Sequence, residues 1–168
     1  MTVVVMGIKI VPPTPADHNA MWEMFHYVVS KGDTYVYAPD SDQEYFENLW
    51  LKTPLKTFVA KEGETVVGTY VLRENRPGLG DHMANAGFIT HPDHQSKGIA
   101  QAMCKHALVE AKKHGFKAMQ FNFVVSTNLR AVKLWQHMGF KIIGTVPEAY
   151  RHQGLNKLVD VHVMWRKV

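Results

Sequence analysis

Residues 95–100 form a run of small and polar residues between an apolar, strand-like stretch and a helical pattern. A helix begins with backbone N–H groups that lack an intrahelical partner, and its dipole is positive at that end, so this turn favours an anion such as phosphate. Gly98 and Ala100 leave room for a phosphate to approach the backbone, and Lys97 adds a positive charge. The alternative is an ordinary strand-to-helix turn made of small residues. Alone, the pattern leaves both interpretations open.

A second motif, one predicted strand later, favours the anion site. Asn128, Ala131 and Trp135 lie at regular spacing in a predicted helix, and Gly139 and Phe140 follow. With both motifs the sequence resembles the GNAT superfamily of N-acetyltransferases, whose first motif reads Gln/Arg-x-x-Gly-x-Gly/Ala and whose second reads Asn-x-x-Ala-x-x-x-aromatic, followed by Gly-Phe. The first is matched by Gln95, Gly98 and Ala100, and the second by Asn128, Ala131, Trp135, Gly139 and Phe140. The motifs occur in the family's order and at its separation, and the predicted element order agrees over nearly the whole chain.

This resemblance implies an N-acetyltransferase that uses acetyl-CoA as cosubstrate. It implies that the amides of the first motif bind the CoA pyrophosphate, and that the fourth and fifth predicted strands splay apart to admit pantetheine. The Phe88 N–H would then stabilise the negative charge that develops on the thioester oxygen, usually a large contribution in acyl transfer. The implied cosubstrate-binding residues are Phe88, Ile89, Thr90, Gln95, Ser96, Lys97, Gly98, Ile99, Ala100, Asn128, Ala131 and Trp135.

Two positions depart from the family pattern. Many members carry a carboxylate base on the fourth strand, where this chain has Ala84. Many also carry a tyrosine acid at the position of Trp135, whose indole donates a hydrogen bond but does not titrate. In their place, Asn85 and Asn122 lie inside otherwise apolar strands, where Asn is disfavoured. They are either core amides with satisfied hydrogen bonds or substrate-binding residues.

Sequence around the two asparagines resembles the subgroup that acetylates L-azetidine-2-carboxylate and related proline analogues. The resemblance runs from about Asn85 to Val161 and implies that Asn85 and Asn122 hold the amine and carboxylate region of the acceptor. An amide is not a base, but its oxygen can accept the amine N–H and orient the lone pair, and positioning can contribute about 7–11 kcal/mol. We keep His82 and His152 as alternative bases, since imidazole titrates near pH 6.5.

Hydrophobic periodicity predicts the elements that position these residues. Strands are predicted over residues 7–11, 58–61, 66–72, 83–90, 119–125, 140–146 and 158–165. Helices are predicted over residues 15–30, 41–51, 99–114 and 128–138, and Ser41 with Glu44 predicts a capping box on the second. The order β-α-α-β-β-β-α-β-α-β-β predicts an α/β (α+β) fold in one domain, residues 1–168, with a mixed, mostly antiparallel sheet between helices.

Composition is that of a globular domain: 46% of the 168 residues are hydrophobic, 20% are charged, and the net charge is +4. The basic residues are scattered, which does not favour a nucleic-acid partner. The first eleven residues are apolar but too short to span a bilayer and lack the basic segment of a signal peptide. We expect a cytoplasmic enzyme whose partner is a small-molecule amine, with neither nucleic acid nor membrane, and keep a homodimer as an option.

Other interpretations remain open. The acidic residues Asp40, Asp42, Glu44 and Glu47 would suit a basic peptide, and so an enzyme that acetylates a protein or peptide amine. The missing acid and base would suit a catalytically silent acetyl-CoA-binding module. His91 and His94 lack a third ligand at regular spacing, so no metal site is predicted there and they are expected to flank the phosphate turn.

Overall fold

The protein is described by a computed structural model that covers residues 3–5 and 7–168, with side chains from residue 7 onward. Met1, Thr2 and Met6, which belong to the apolar N-terminal stretch, lie outside the described residues. Within the described ranges, no helix combines the length and the apolar character needed to cross a membrane.

In this part of the chain, eight strands form a single sheet. They are β1 (Val3–Val5), β2 (Ile8–Val11), β3 (Lys56–Glu62), β4 (Thr65–Glu74), β5 (Met83–Thr90), β6 (Ala118–Val125), β7 (Lys141–His152) and β8 (Lys157–Lys167). Their spatial order is β1-β2-β3-β4-β5-β6-β8-β7. Neighbours are antiparallel except β5 and β6, which run parallel. The predicted mixed, mostly antiparallel sheet is confirmed, with β1 added before the predicted first strand.

Helices cover both faces of the sheet. They are α1 (His18–Ser30), α2 (Gln43–Phe46), which continues into a π-helical segment (Glu47–Lys52), α3 (Ile99–Lys113) and α4 (Leu129–His137); 3-10 turns occupy Pro15–Asp17, Gly78–Gly80 and Pro92–His94. One face packs against Met21 and Phe25 of α1 and against Trp50 of the π-helical segment. The other packs against Met103 of α3 and Trp135 of α4. The central strands of the sheet are therefore covered by helices on both faces.

The helical period explains why α3 lies where it was predicted. Ile99, Met103, Ala107 and Ala111 recur every fourth residue and are all buried, because positions i and i+4 share one face of a helix. The chain leaves the helix at Gly115, whose φ of 81° suits a residue without Cβ.

Two boundary predictions are wrong. The α2 cap is Asp42, whose side chain accepts the Tyr45 N–H at 2.8 Å. Ser41, the predicted cap, instead donates its hydroxyl to the carbonyl of Ala38 at 2.6 Å, so its side chain closes the preceding turn. β7 does not end near residue 146; it continues to His152 past an irregularity in its pairing with β8.

Candidate active site

The parallel strands β5 and β6 pair at one end only. Their register joins Met83 to Ala118 and Ala84 to Met119. Beyond these pairs, β5 follows β4 and β6 follows β8, each to its last residue. A cleft of about 580 Å³ opens at this divergence and extends to the beginnings of α3 and α4. The splay that the sequence predicted is present.

Nearly all of the predicted cosubstrate-binding residues line this cleft: Phe88, Ile89, Thr90, Gln95, Ser96, Gly98, Ile99, Ala100, Asn128, Ala131 and Trp135. Lys97 is exposed and is not part of the lining. Its charge therefore lies outside the cleft wall, and the turn presents its backbone rather than this side chain to the cleft.

The turn at residues 95–100 has the backbone geometry of an anion site. Ser96 and Gly98 adopt left-handed conformations, with φ of 65° and 77°. The first helical hydrogen bond of α3 runs from the Ala102 N–H to the Gly98 carbonyl at 2.9 Å, so the N–H groups before it have no intrahelical acceptor. A Cβ placed on Gly98 would meet no atom within 4 Å. The backbone is thus open to a ligand at the positive end of α3.

Arg130 of α4 holds this turn from the opposite side. Its two terminal nitrogens donate to the Gln95 side-chain oxygen and to the Ser96 hydroxyl, each at 2.7 Å. Asn128 begins α4 by accepting the Ala131 N–H at 3.3 Å, which places Arg130 in the first helical turn. The guanidinium adds a fixed positive charge to the cleft that it lines. Arg130 was not predicted as a site residue, because its two partners lie 35 and 34 residues back along the chain.

The backbone of Phe88 is directed into the cleft. Met83 accepts from the Asn75 N–H at 2.7 Å, and the His91 N–H donates to Val67 at 2.9 Å, so both residues turn their backbone groups towards β4. These groups alternate along a strand, and Phe88 is an odd number of residues from both. Its N–H and carbonyl therefore face away from β4, where β6 has departed.

Tyr35 fixes Phe88 from the α1 side of the sheet. Its hydroxyl donates to the Phe88 carbonyl at 2.7 Å. Burial raises the pKa of Tyr35 well above its ordinary value, so the hydroxyl stays protonated and remains a donor. Tyr35 also belongs to a segment after α1 that lines the cleft with Lys31, Asp33 and Thr34. This segment was not predicted to be part of the site, since no local sequence pattern brings it to β5.

Trp135 is an aromatic wall of the cleft. It is buried, and its ring centroid lies 5.1 Å from that of Phe88 and 5.0 Å from that of Phe121. The indole thus supports the strand that carries the Phe88 N–H, which is a packing role.

Comparisons with known proteins agree with this geometry. The profile of the acetyltransferase (GNAT) family matches residues 19–140 of the chain. The chain belongs to the GNAT family. A GCN5-related N-acetyltransferase from Kribbella flavida is 40% identical, with 96% of this chain and 98% of that one covered and a TM-score of 0.90.

Two other GNAT comparisons extend this result. N-acetyltransferase aca1 from Schizosaccharomyces pombe is 28% identical over 154 residues, which cover 82% of this chain and 74% of that protein. A GNAT superfamily phosphinothricin acetyltransferase from Sinorhizobium meliloti, solved in complex with AcCoA, has a TM-score of 0.84 at 19% identity and covers 97% and 89% of the two chains, so it shares the fold. The protein is an acyltransferase enzyme with the GNAT fold.

The two asparagines of this GNAT chain lie outside the cleft lining. Asn85 on β5 pairs with Arg73 on the neighbouring strand β4. Its side chain lies on the same face of β5 as that of Ile89, which packs on the α1 side of the sheet. Asn122 donates to the Asn75 side chain at 2.7 Å and accepts from the Gln120 side chain at 2.9 Å. Asn122 is therefore part of a small amide network, and the structure does not bring it to the cleft wall with Phe88.

The four histidines singled out in the sequence are also outside the lining. His82 is exposed, and its carbonyl accepts the Lys117 N–H where β5 and β6 still pair. His152 lies at the end of β7, where its Nδ1 accepts the Leu155 N–H at 3.1 Å. His91 and His94 pack against each other, and the described residues contain no group of three side chains suited to a metal ion.

Proposed function

We propose that this GNAT enzyme transfers the acetyl group of acetyl-CoA to the nitrogen of a small amine. The observation that carries the proposal is the direction of the Phe88 N–H into a cleft whose far end is the anion-binding turn at residues 95–100. The turn fits a pyrophosphate because its N–H groups are open, the space beside Gly98 is empty, and Arg130 adds charge.

Acetyl-CoA supplies the thioester, and the chain's residues hold it and stabilise charge. The Phe88 N–H donates to the oxygen on which negative charge develops, and Tyr35 keeps that strand in place. Trp135 offers no proton, and the β5 position of the usual carboxylate is Ala84, which is buried in the core. The acceptor must therefore present its nitrogen as the neutral amine, and solvent takes up the released proton.

The acceptor that we favour is a proline analogue or another small amino or imino acid. Asn85 and Asn122 lie on the sheet face that carries α1. If the acetyl group of the cosubstrate reaches this face between β5 and β6, an acceptor bound on the face would meet it there. Polar side chains on that face suit a zwitterion because they can donate to a carboxylate and accept from an amine. Asn122 uses one N–H and one oxygen lone pair in its bonds to Asn75 and Gln120, so a second N–H and a second lone pair remain for an acceptor.

An acceptor panel tests the proposal by release of free CoA, detected with a thiol reagent. Suitable acceptors are azetidine-2-carboxylate, proline analogues, polyamines and a basic peptide. The chain's single cysteine will not interfere, because Cys104 is buried and burial raises the pKa of its thiol to about 12. CoA release with small amino or imino acids is the expected result. Release with the peptide alone would favour a peptide acetyltransferase, and acetyl-CoA binding without release for any amine would indicate a silent module.

A homodimer remains a prediction. β7 is one of the two outer strands of the described sheet, and Ile142, Ile143 and Val146 on it are exposed. An outer strand with apolar side chains is a surface on which a second copy can pair. Sedimentation of the purified chain over a range of concentrations measures this directly.

A further inference from the structure

The cleft contains an acidic side chain that the proposed mechanism does not use. Among the described residues that line the cleft, Asp33 is the only one with a carboxylate. It lies in the connection between α1 and α2 and is half-buried. The remaining charged side chains of the lining are Lys31 and Arg130, so Asp33 is the only source of negative charge in a cleft that otherwise attracts anions.

The backbone on both sides of Asp33 is held in place. The Gly32 carbonyl accepts the Gln153 N–H at 3.0 Å. Two residues after Asp33, the Tyr35 carbonyl accepts the Tyr150 hydroxyl at 3.1 Å, and the Tyr35 side chain is bonded to Phe88. The backbone that carries Asp33 is therefore anchored beside the end of β7 and, through Tyr35, to the strand that carries the Phe88 N–H.

The Asp33 carboxylate itself is left without a protein partner. Across residues 7–168, no side-chain hydrogen bond reaches it and no cation lies within 4.0 Å of its oxygens. The neighbouring Lys31 places its ammonium over the Tyr27 ring, 4.3 Å from the ring centroid. A carboxylate that lines the cleft without a protein partner is available to a cationic ligand, which it would bind through charge-assisted hydrogen bonds.

We propose that the acceptor amine enters the cleft as a cation and binds to the Asp33 carboxylate. Asp33 thereby selects acceptors that are protonated at neutral pH. This inference rests on the proposed function. Aliphatic amines such as the lysine side chain have a pKa of about 10.4, so they reach the enzyme as ammonium ions. Asp33 is an acceptor-binding residue, and the ammonium passes its proton to solvent before the nitrogen attacks.

Asp33→Asn tests the proposal, because it removes the charge and keeps the size of the side chain. Asp40→Asn is the matched control, since Asp40 lies in the same connection but is exposed and outside the cleft lining. Azetidine-2-carboxylate is titrated by calorimetry into each protein saturated with CoA at pH 7. Its affinity should fall at least tenfold in Asp33→Asn and stay within twofold of wild type in Asp40→Asn, while the affinity of both variants for acetyl-CoA is unchanged.

Kinetics with two similar acceptors separate charge from shape. Benzylamine is a cation at pH 7 and aniline is neutral. In Asp33→Asn, the KM for benzylamine should rise at least tenfold with kcat within about threefold of wild type, and the KM for aniline should stay within twofold. An equal rise for both amines, no rise for either, or a fall in kcat at constant KM would overturn the proposal. Asp33-dependent amine binding without any release of CoA would support the cation site and contradict the proposed transferase function.

Discussion

A left-handed glycine lies at each end of α3, Gly98 with φ of 77° and Gly115 with φ of 81°. A Cβ on either would meet no atom within 4 Å, but only Gly98 borders the cleft. We predict that Gly98→Val weakens acetyl-CoA binding at least tenfold, about 1.4 kcal/mol, because the new side chain fills the space that the phosphate needs. Calorimetry on the folded variant measures the loss.

Gly115→Val is the control for that prediction. It imposes the same backbone strain on the same helix, at a distance from the cleft. Both variants should lose similar thermal stability, while only Gly98→Val loses acetyl-CoA affinity. Equal affinity in the two variants would mean that the turn does not bind the pyrophosphate.

The two asparagines make a prediction about pH. Neither amide changes charge, so kcat/KM should rise with pH until the acceptor amine is deprotonated, with no enzyme group titrating near pH 6–7. Asn85→Ala and Asn122→Ala should lower activity through misplacement of the acceptor and leave acetyl-CoA affinity close to wild type. Measuring kcat/KM against pH for these variants and for His82→Gln and His152→Gln decides whether the asparagines orient the amine or a histidine acts as the base. A limb near pH 6.5 that one histidine change abolishes, with both Asn variants active, would remove the amide hypothesis.

At the scale of elements, α4 holds the turn that begins α3. We predict that Arg130→Ala raises the Kd for acetyl-CoA about tenfold, since it removes two hydrogen bonds to the turn and one positive charge. Lys133→Ala is the control, because Lys133 is exposed on the same helix and does not line the cleft. Equal Kd values for the two variants, measured by calorimetry, would show that the turn keeps its shape without Arg130.

Elements with a clear period were predictable from sequence. Helix α3 and strands β3 and β4 lie where hydrophobic periodicity predicted them, because periodicity is a local signal. The first residue of α2 was not predictable, because Ser41 and Asp42 are both favourable N-cap residues. Only the fold decides which of the two side chains accepts the N–H group of the first helical turn. The end of β7 was missed because its pairing with β8 is interrupted near Pro147, where the sequence has the character of a loop.

The residues of the candidate site also fall into those that local sequence patterns predict and those that they do not. The turn at residues 95–100 and the start of α4 were found from their motifs, which are short and local. Asp33, Tyr35 and Arg130 were missed because each reaches the cleft through contacts made far along the chain: Tyr35 bonds to Phe88, 53 residues on, and Arg130 to Gln95, 35 residues back. No spacing rule in a single sequence connects such pairs.

At the scale of the whole molecule, the cleft divides one sheet into two parts. Strands β1 to β5 form one part, and β6 to β8 form the other. Two residue pairs of β5 and β6 join them by strand pairing, and helices α3 and α4 pack across both parts. The connection between α1 and α2 adds a second link, through the Tyr35–Phe88 and Tyr150–Tyr35 hydrogen bonds.

We predict that acetyl-CoA, bound between β5 and β6, replaces the strand contacts that are missing there, so that binding also stabilises the fold. A ligand at 100 times its Kd adds about 2.7 kcal/mol to the free energy of unfolding. For a chain of this size that raises the melting temperature by roughly 5–10 °C. Amide hydrogen exchange should slow most at Phe88 and Ala86, whose N–H groups face the gap, and least at Thr69 inside the β3–β4–β5 pairing. Equal slowing of exchange at all three amides would contradict pairing of acetyl-CoA with β5. The expected pattern would mean that the concentration of acetyl-CoA determines how stably the two parts of the sheet are held together.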